Sequence, residues 1–238
     1  MHGIRFIHLV LFSHGREYER MKELSGAFYN AKSIRTIYYC FSNDIDAEHV
    51  LNGDVLTFKG DESFVPGILT KTIRAFQYFE PELGQYDYVV RSNVSTIVNF
   101  QLLAMHLATQ PFDYGAGMVL RLGWLDFQCG ITDGTYMGTV FGSGTSIILS
   151  TTLMKRMLQS THHIPMDIID DVSIGVWVRR TDPSVVPHCL SAHFYCHRVR
   201  ESFDALDVAQ IMFHRNRCAE NRQEDVHNMQ RLIERLSA

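Results

Sequence analysis

The chain has 238 residues, of which 46% are hydrophobic, with 22 lysines and arginines against 26 aspartates and glutamates. This length allows one domain that folds without a metal or disulfide staple, and the absence of a basic excess argues against a general nucleic-acid-binding protein. Five cysteines without CxxC spacing indicate a reducing compartment. The apolar run Phe6 to Phe12 is too short for a signal sequence or a membrane span, so we expect a soluble, cytoplasmic protein without membrane insertion.

The first part of the chain alternates strand-like and helix-like segments. The predicted strands span residues 4–12, 34–41, 54–58 and 86–90, and the predicted helices span residues 16–29 and 66–79. This order is typical of a Rossmann-like α/β fold, a mostly parallel twisted sheet flanked by helices. Because ligands bind beyond the carboxyl ends of such strands, we expect the loops at 13–16, 43–44 and 91–95 to converge on one crevice.

The second part of the chain has a different texture. Residues 112–144 are rich in Gly, Tyr and Thr, which favours loops or short strands around a binding cleft. Helices are predicted over residues 99–107, 151–160, 170–177 and 220–236, with Ser150 or Thr151 capping the second of these. No internal repeat or low-complexity linker occurs. We therefore predict a single domain.

Several short segments between residues 50 and 178 occur in an order that periodicity does not explain. They are Asn52-Gly53-Asp54-Val55, Asp61-Glu62-Ser63-Phe64, Leu69-Thr70-Lys71-Thr72, Tyr86 to Ser92, Phe141 to Ser150 and Asp170 to Gly175. Together they resemble the β-1,3-galactosyltransferase and fringe family. The resemblance implies a glycosyltransferase of GT-A fold, a nucleotide-sugar donor (commonly a UDP-sugar), a glycan acceptor and inversion at the anomeric carbon. Residues 1–98 would then form the nucleotide-sugar-binding half and residues 99–238 the acceptor-binding and catalytic half.

The paired acids Asp170 and Asp171 are the candidate catalytic groups. Glycosyl transfer with inversion needs a base within hydrogen-bond reach of the acceptor hydroxyl. The resemblance assigns that role to the second acid, Asp171, and leaves Asp170 as an acceptor-binding residue. From spacing alone, the favoured explanation is a pair of ordinary carboxylates that stabilise a helix N-terminus, and only the resemblance reverses that preference.

The resemblance also implies a divalent cation, Mn²⁺ or Mg²⁺, held by a run of aspartates after the motif strand. This chain has Asn93-Val94-Ser95 there, and amide and hydroxyl oxygens are poorer ligands for hard cations. A metal held mainly by the diphosphate, with Asn93, Ser95 or His214, is one alternative. The other is a metal-free site in which basic side chains neutralise the diphosphate. The candidates for that role are Lys71, Arg91, Arg215 and Arg217, beside His214.

The remaining candidates follow from position. Ser13, His14 and Arg16 follow the first strand, where such folds meet the nucleotide, although a simple strand-to-helix turn explains them too. Lys71 is a donor-site candidate through the resemblance, and its alternative explanation is an ordinary surface lysine. Trp124 is a candidate platform for an acceptor sugar, with aromatic core as its alternative.

Two other functions stay open on the sequence. The first is a sugar-nucleotide- or carbohydrate-binding protein without catalysis. The second is a nucleotidyltransferase of related fold, which needs a Gly-rich phosphate loop, and the loop after Phe12 holds one glycine, Gly15. A cytoplasmic enzyme without an anchor fits a bacterial or viral origin better than the secretory members of the resembled family.

Overall fold

The computed structural model describes residues 3–197, 207–217 and 221–237. Its strands are β1 (Phe6–Leu11), β2 (Arg35–Ser42), β3 (His49–Asn52), β4 (Val55–Lys59), β5 (Tyr88–Asn93), β6 (Thr96–Val98), β7 (Tyr114–Ala116), β8 (Val119–Arg121), β9 (Val140–Gly142), β10 (Ser146–Ser150), β11 (His188–Cys189), β12 (Phe194–His197) and β13 (Phe213–Asn216). Its helices are α1 (Arg16–Ala31), α2 (Gly67–Phe79), α3 (Phe100–Thr109), α4 (Thr151–Gln159), α5 (Asp170–Thr181) and α6 (Arg222–Ser237).

The main sheet has eight strands in the order β11-β7-β10-β5-β1-β2-β4-β3. Strands β4, β2, β1 and β5 are mutually parallel, while β10 runs antiparallel between β5 and β7, and β3 is an antiparallel edge strand. The predicted mostly parallel α/β sheet is therefore confirmed. Two smaller sheets, β12-β13-β6 and β8-β9, flank it.

The sheet is covered by helices on both faces because side chains of a buried strand alternate between two apolar layers. In β1, Ile7 and Leu9 pack in the layer that contains side chains of α2, α4 and α5. Phe6 and Val10 pack in the opposite layer, with side chains of α1, α3 and α6. Such a strand reads as a continuous apolar run, which is why the sequence pattern located it.

The predicted helices are confirmed with shifts of a few residues at their ends. Helix α4 begins at Thr151, and the Ser150 hydroxyl accepts a hydrogen bond of 3.1 Å from the backbone N–H of Leu153, so Ser150 is the cap. Strands β3, β6, β10, β11, β12 and β13 were not predicted as strands. Among the helices that the structure describes, none is both long and apolar enough to cross a bilayer.

Candidate functional site

A cavity of about 390 Å³ opens at the carboxyl ends of β1 and β5. Leu11 and Asn93 line it from those strand ends, where the parallel sheet predicts a ligand site. The other walls come from the loop between β9 and β10, the start of α5, and the segments that follow β8 and β13. The polar residues in its lining are Arg91, Asn93, Asp126, Ser143, Thr145, Asp170, Asp171, Arg215, Arg217 and Arg222.

Asp171 lines this cavity from the first turn of α5, and two backbone N–H groups hold its carboxylate. Gly144 donates to Oδ2 over 2.9 Å, and Val172 donates to Oδ1 over 2.8 Å. Burial, together with the neighbouring charge of Asp170, raises the pKa of Asp171 to about 6. A carboxylate with this pKa is largely ionised at neutral pH and is still a useful proton acceptor.

Asp170 differs from its neighbour in being tied to a buried cation. Its side chain is 3% exposed and forms an ion pair of 2.6 Å with Arg91, which is 2% exposed. The Arg91 guanidinium also donates to the Gly144 carbonyl oxygen and, over 3.1 Å, to Oδ1 of Asn93. Arg91 therefore ties the motif strand β5 to the loop and the helix that hold Asp171.

A glycine sets the distance between α5 and the cavity wall. A Cβ at Gly175 would lie 2.5 Å from the Cβ of Phe141 and 3.0 Å from the carbonyl oxygen of Val140. Only a residue without a side chain lets α5 approach β9 this closely. Gly175 therefore allows α5 to pack closely against β9, and this packing positions the two acids at the start of the helix.

The basic cluster after residue 211 is divided by strand alternation. Arg215 and Arg217 line the cavity, whereas His214 lies outside its lining and contacts the ring of Tyr195 at 5.4 Å. His214 is buried, which lowers its pKa to about 4, with a smaller contribution from Arg235. The structure thus separates the two predicted donor-site arginines from the histidine.

Lys71 is a buried structural cation rather than a surface lysine. Its ammonium donates to the carbonyl oxygen of Phe12 over 2.9 Å and to Oε1 of Glu62 over 2.7 Å, and it reaches the Ser13 hydroxyl at 3.4 Å. Burial lowers its pKa, against the pull of Glu62. Lys71 supports the end of β1 and is not part of the cavity lining.

The other predicted donor residues lie at or near the same edge of the sheet. His14 is exposed and contacts Oε1 of Glu19 over 3.0 Å, and Arg16 is exposed at the start of α1. Ser95 is buried outside the cavity lining, and its carbonyl oxygen accepts a hydrogen bond of 2.8 Å from the backbone N–H of Asn216. Their roles in donor binding stay predictions.

Three aromatic side chains line the cavity. Trp124 is 45% exposed and Phe64 is 53% exposed, while Phe141, behind Trp124 at 6.5 Å between ring centroids, is buried. Trp124 thus has the exposure that a sugar platform requires, whereas Phe141 belongs to the core.

The comparisons with known proteins bear on the fold. No protein-family model and no curated protein sequence matches the chain. Among solved structures, it is similar to a glycosyltransferase involved in the glycosylation of the major capsid of PBCV-1, with a TM-score of 0.51. The chain therefore shares the fold of that protein. The match covers 95% of this chain and 99% of that chain at 9% sequence identity, so the likeness concerns architecture.

Sequence reasoning did not single out, as site residues, several residues that line this cavity, among them Asp126, Ser143, Gly144, Thr145 and Arg222. Arg222 opens α6, outside every motif that the sequence analysis singled out, and the packing of α6 against α1 and β13 brings it to the cavity. Gly144 lies within a segment that carried the resemblance, but its role as the hydrogen-bond donor to Asp171 depends on a contact across 27 positions.

Proposed function

We propose that the chain is an inverting glycosyltransferase that moves a sugar from a nucleotide-sugar donor to a hydroxyl of a glycan acceptor. The resemblance of the sequence makes a UDP-sugar the first donor to test. The observation that carries the proposal is the Asp171 carboxylate, which lines the strand-end cavity of a glycosyltransferase fold with a pKa of about 6.

In this proposal Asp171 is the general base. It takes the proton from the acceptor hydroxyl as that oxygen bonds to the anomeric carbon of the donor sugar. The bond from the anomeric carbon to the diphosphate breaks on the opposite face, its electron pair leaves with the nucleoside diphosphate, and the configuration inverts. The N–H groups of Gly144 and Val172 keep the carboxylate aimed without reorganisation during the reaction.

The neighbouring residues divide into supporting roles. The ion pair with Arg91 suits Asp170 to hold α5 in position, and its carboxylate would contact the acceptor. Trp124 is exposed at the cavity mouth and would stack on an acceptor sugar ring. The strand ends that carry Ser13 and Asn93 would receive the nucleotide of the donor.

The test is a transfer and donor-hydrolysis assay with a panel of UDP-sugars, run beside calorimetric titration of UDP. We expect Asp171→Asn to lower kcat by about 10² to 10⁴ while UDP affinity stays within a few-fold. Asp126→Asn is the matched control, because Asp126 lines the same cavity but caps a turn by accepting from the N–H of Cys129 over 3.1 Å. NMR of the product should show the anomeric configuration opposite to that of the donor.

Two results would redirect the assignment. UDP binding without turnover of any donor, unchanged in Asp171→Asn, would favour a sugar-nucleotide-binding protein without catalysis. Release of pyrophosphate from a nucleoside triphosphate and a sugar phosphate would favour a nucleotidyltransferase.

A further inference from the structure

The residues at the place of the family's metal-binding aspartates do not form a set of cation ligands. Oδ1 of Asn93 accepts a hydrogen bond from the Arg91 guanidinium, whose positive charge at 3.1 Å opposes a cation there. Ser95 and His214 are buried and lie outside the cavity lining. Within the described ranges, no three or more His, Cys, Asp or Glu residues are grouped so as to hold a metal ion.

The two acids of the cavity are already engaged by other groups. Asp170 is neutralised by Arg91 at 2.6 Å, and both oxygens of Asp171 accept backbone hydrogen bonds. Using Asp171 as a metal ligand would also remove the free carboxylate that the proposed proton transfer requires. The donor set of the cavity therefore does not fit the divalent cation that the resemblance implies.

Arginines stand next to the segment where the aspartates are missing. Strand β13 pairs with β6, so that Arg215 lies opposite Thr96, two positions beyond Val94. The N–H of Asn216 donates to the carbonyl oxygen of Ser95 over 2.8 Å, which fixes this arrangement. Arg215 lies on β13 and Arg217 directly follows its last residue, and both side chains line the cavity.

Arg222 adds a third guanidinium to the same lining. It is positioned by an ion pair of 2.7 Å with Asp225 and by the ring of Tyr18 at 5.5 Å. A guanidinium carries five N–H donors, so one that bonds a carboxylate through one nitrogen keeps others for a second anion. We refer to Arg215, Arg217 and Arg222 as the arginine wall.

Resting on the proposed function, we propose that the arginine wall binds the diphosphate of the donor without a divalent cation. The guanidinium charges of Arg215 and Arg217 attract the diphosphate, and their planar paired N–H groups match phosphate oxygens. The charge of Arg222 is paired with that of Asp225, so Arg222 contributes its remaining N–H donors. When the bond to the anomeric carbon breaks, the electron pair develops on the diphosphate oxygen, and these fixed charges stabilise it. The wall performs the electrostatic work that a metal performs in the resembled family.

The test measures binding of UDP, GDP and dTDP to the full chain by calorimetry, after dialysis against chelator, in EDTA and in Mn²⁺. We expect at least one of them to bind with a Kd that differs less than threefold between the two conditions. Arg217→Ala and Arg215→Ala should each weaken that binding at least tenfold in EDTA, and added salt should weaken it in the wild type. Arg217 is exposed, so its replacement leaves the core intact.

Arg20→Ala is the control, since Arg20 is an exposed arginine of α1 that pairs with Glu23 at 2.8 Å. It should bind the diphosphate as the wild type does. Binding or turnover that requires Mn²⁺ would overturn the arginine wall and leave the transferase standing. Unchanged diphosphate affinity in both arginine variants would overturn it as well. No binding of UDP, GDP or dTDP in either condition would overturn it together with the proposed function.

Discussion

We expect the effect of Asp171→Asn on stability to depend on pH. The free energy of unfolding of the variant, relative to that of the wild type, should be higher at neutral pH than at pH 4. The pKa of Asp171 is raised from its ordinary value of 3.8 to about 6, chiefly by burial. Between these values the folded state binds one proton more than the unfolded state, so the free energy of unfolding falls as the pH rises. Two pKa units correspond to about 3 kcal/mol, and partial solvent exposure of the side chain reduces this to about 2 kcal/mol.

Asparagine does not titrate, so the variant does not lose this part of its stability. It does lose one of the two backbone hydrogen bonds, because an amide nitrogen cannot accept, and this costs about 1 kcal/mol at every pH. The informative quantity is therefore the change with pH. We expect the free energy of unfolding of the variant minus that of the wild type to rise by about 2 kcal/mol between pH 4 and pH 7.5.

Urea denaturation at four pH values across that range measures the difference. Asp87→Asn is the control, because the hydrogen bond from Arg5 lowers the pKa of Asp87. The stability that this carboxylate contributes is lost mostly below pH 4, so the difference between Asp87→Asn and the wild type should change little from pH 4 to pH 7.5. Curves for the wild type and Asp171→Asn that stay parallel from pH 4 to pH 7.5 would refute the reasoning.

Three further predictions concern the rate and the packing. The kcat/KM of transfer should rise with pH through an apparent pKa near 6, and a flat profile from pH 4.5 to pH 8 would exclude Asp171 as base. Gly175→Ala should cost about 1–3 kcal/mol by thermal unfolding, whereas Gly84→Ala, with open space around it, should cost far less. Arg91→Met leaves the buried Asp170 charge unpaired and should cost about 3–5 kcal/mol, which Asp170→Asn in the same chain should partly restore.

The elements that sequence predicted correctly are those with a strong local pattern. Strand β1 is a continuous apolar run because both of its faces are buried. Ser150 marks the start of α4 because its hydroxyl caps the helix. Strand β13 has only four residues, and its partner β6 lies more than a hundred positions away, so no local signal marks it. Hydrophobic periodicity does not predict short strands that form by pairing with distant segments.

The same limit applies to the candidate site. Asp171, which lines the cavity, was predicted as a site residue because it lies in a segment whose order and spacing carried the resemblance. Lys71 lies in a similar segment, yet its ammonium is consumed by Glu62 and by the end of β1, contacts that the segment does not encode. Arg222 lines the cavity but lies in none of the motifs that the sequence analysis singled out. Whether a charged side chain faces a ligand or another side chain is decided by tertiary contacts, and these the sequence alone did not reveal.

The pairing of β13 with β6 has a consequence for how the protein is made. The contact between Asn216 and Ser95 joins positions that are 121 residues apart, so the strand-end cavity lacks a wall until β13 has been synthesised. The central strands can assemble earlier, during translation, while the wall that β13 provides is still absent. A ribosome-bound chain that stops before β13 would thus contain the central strands of the sheet and only an incomplete strand-end cavity.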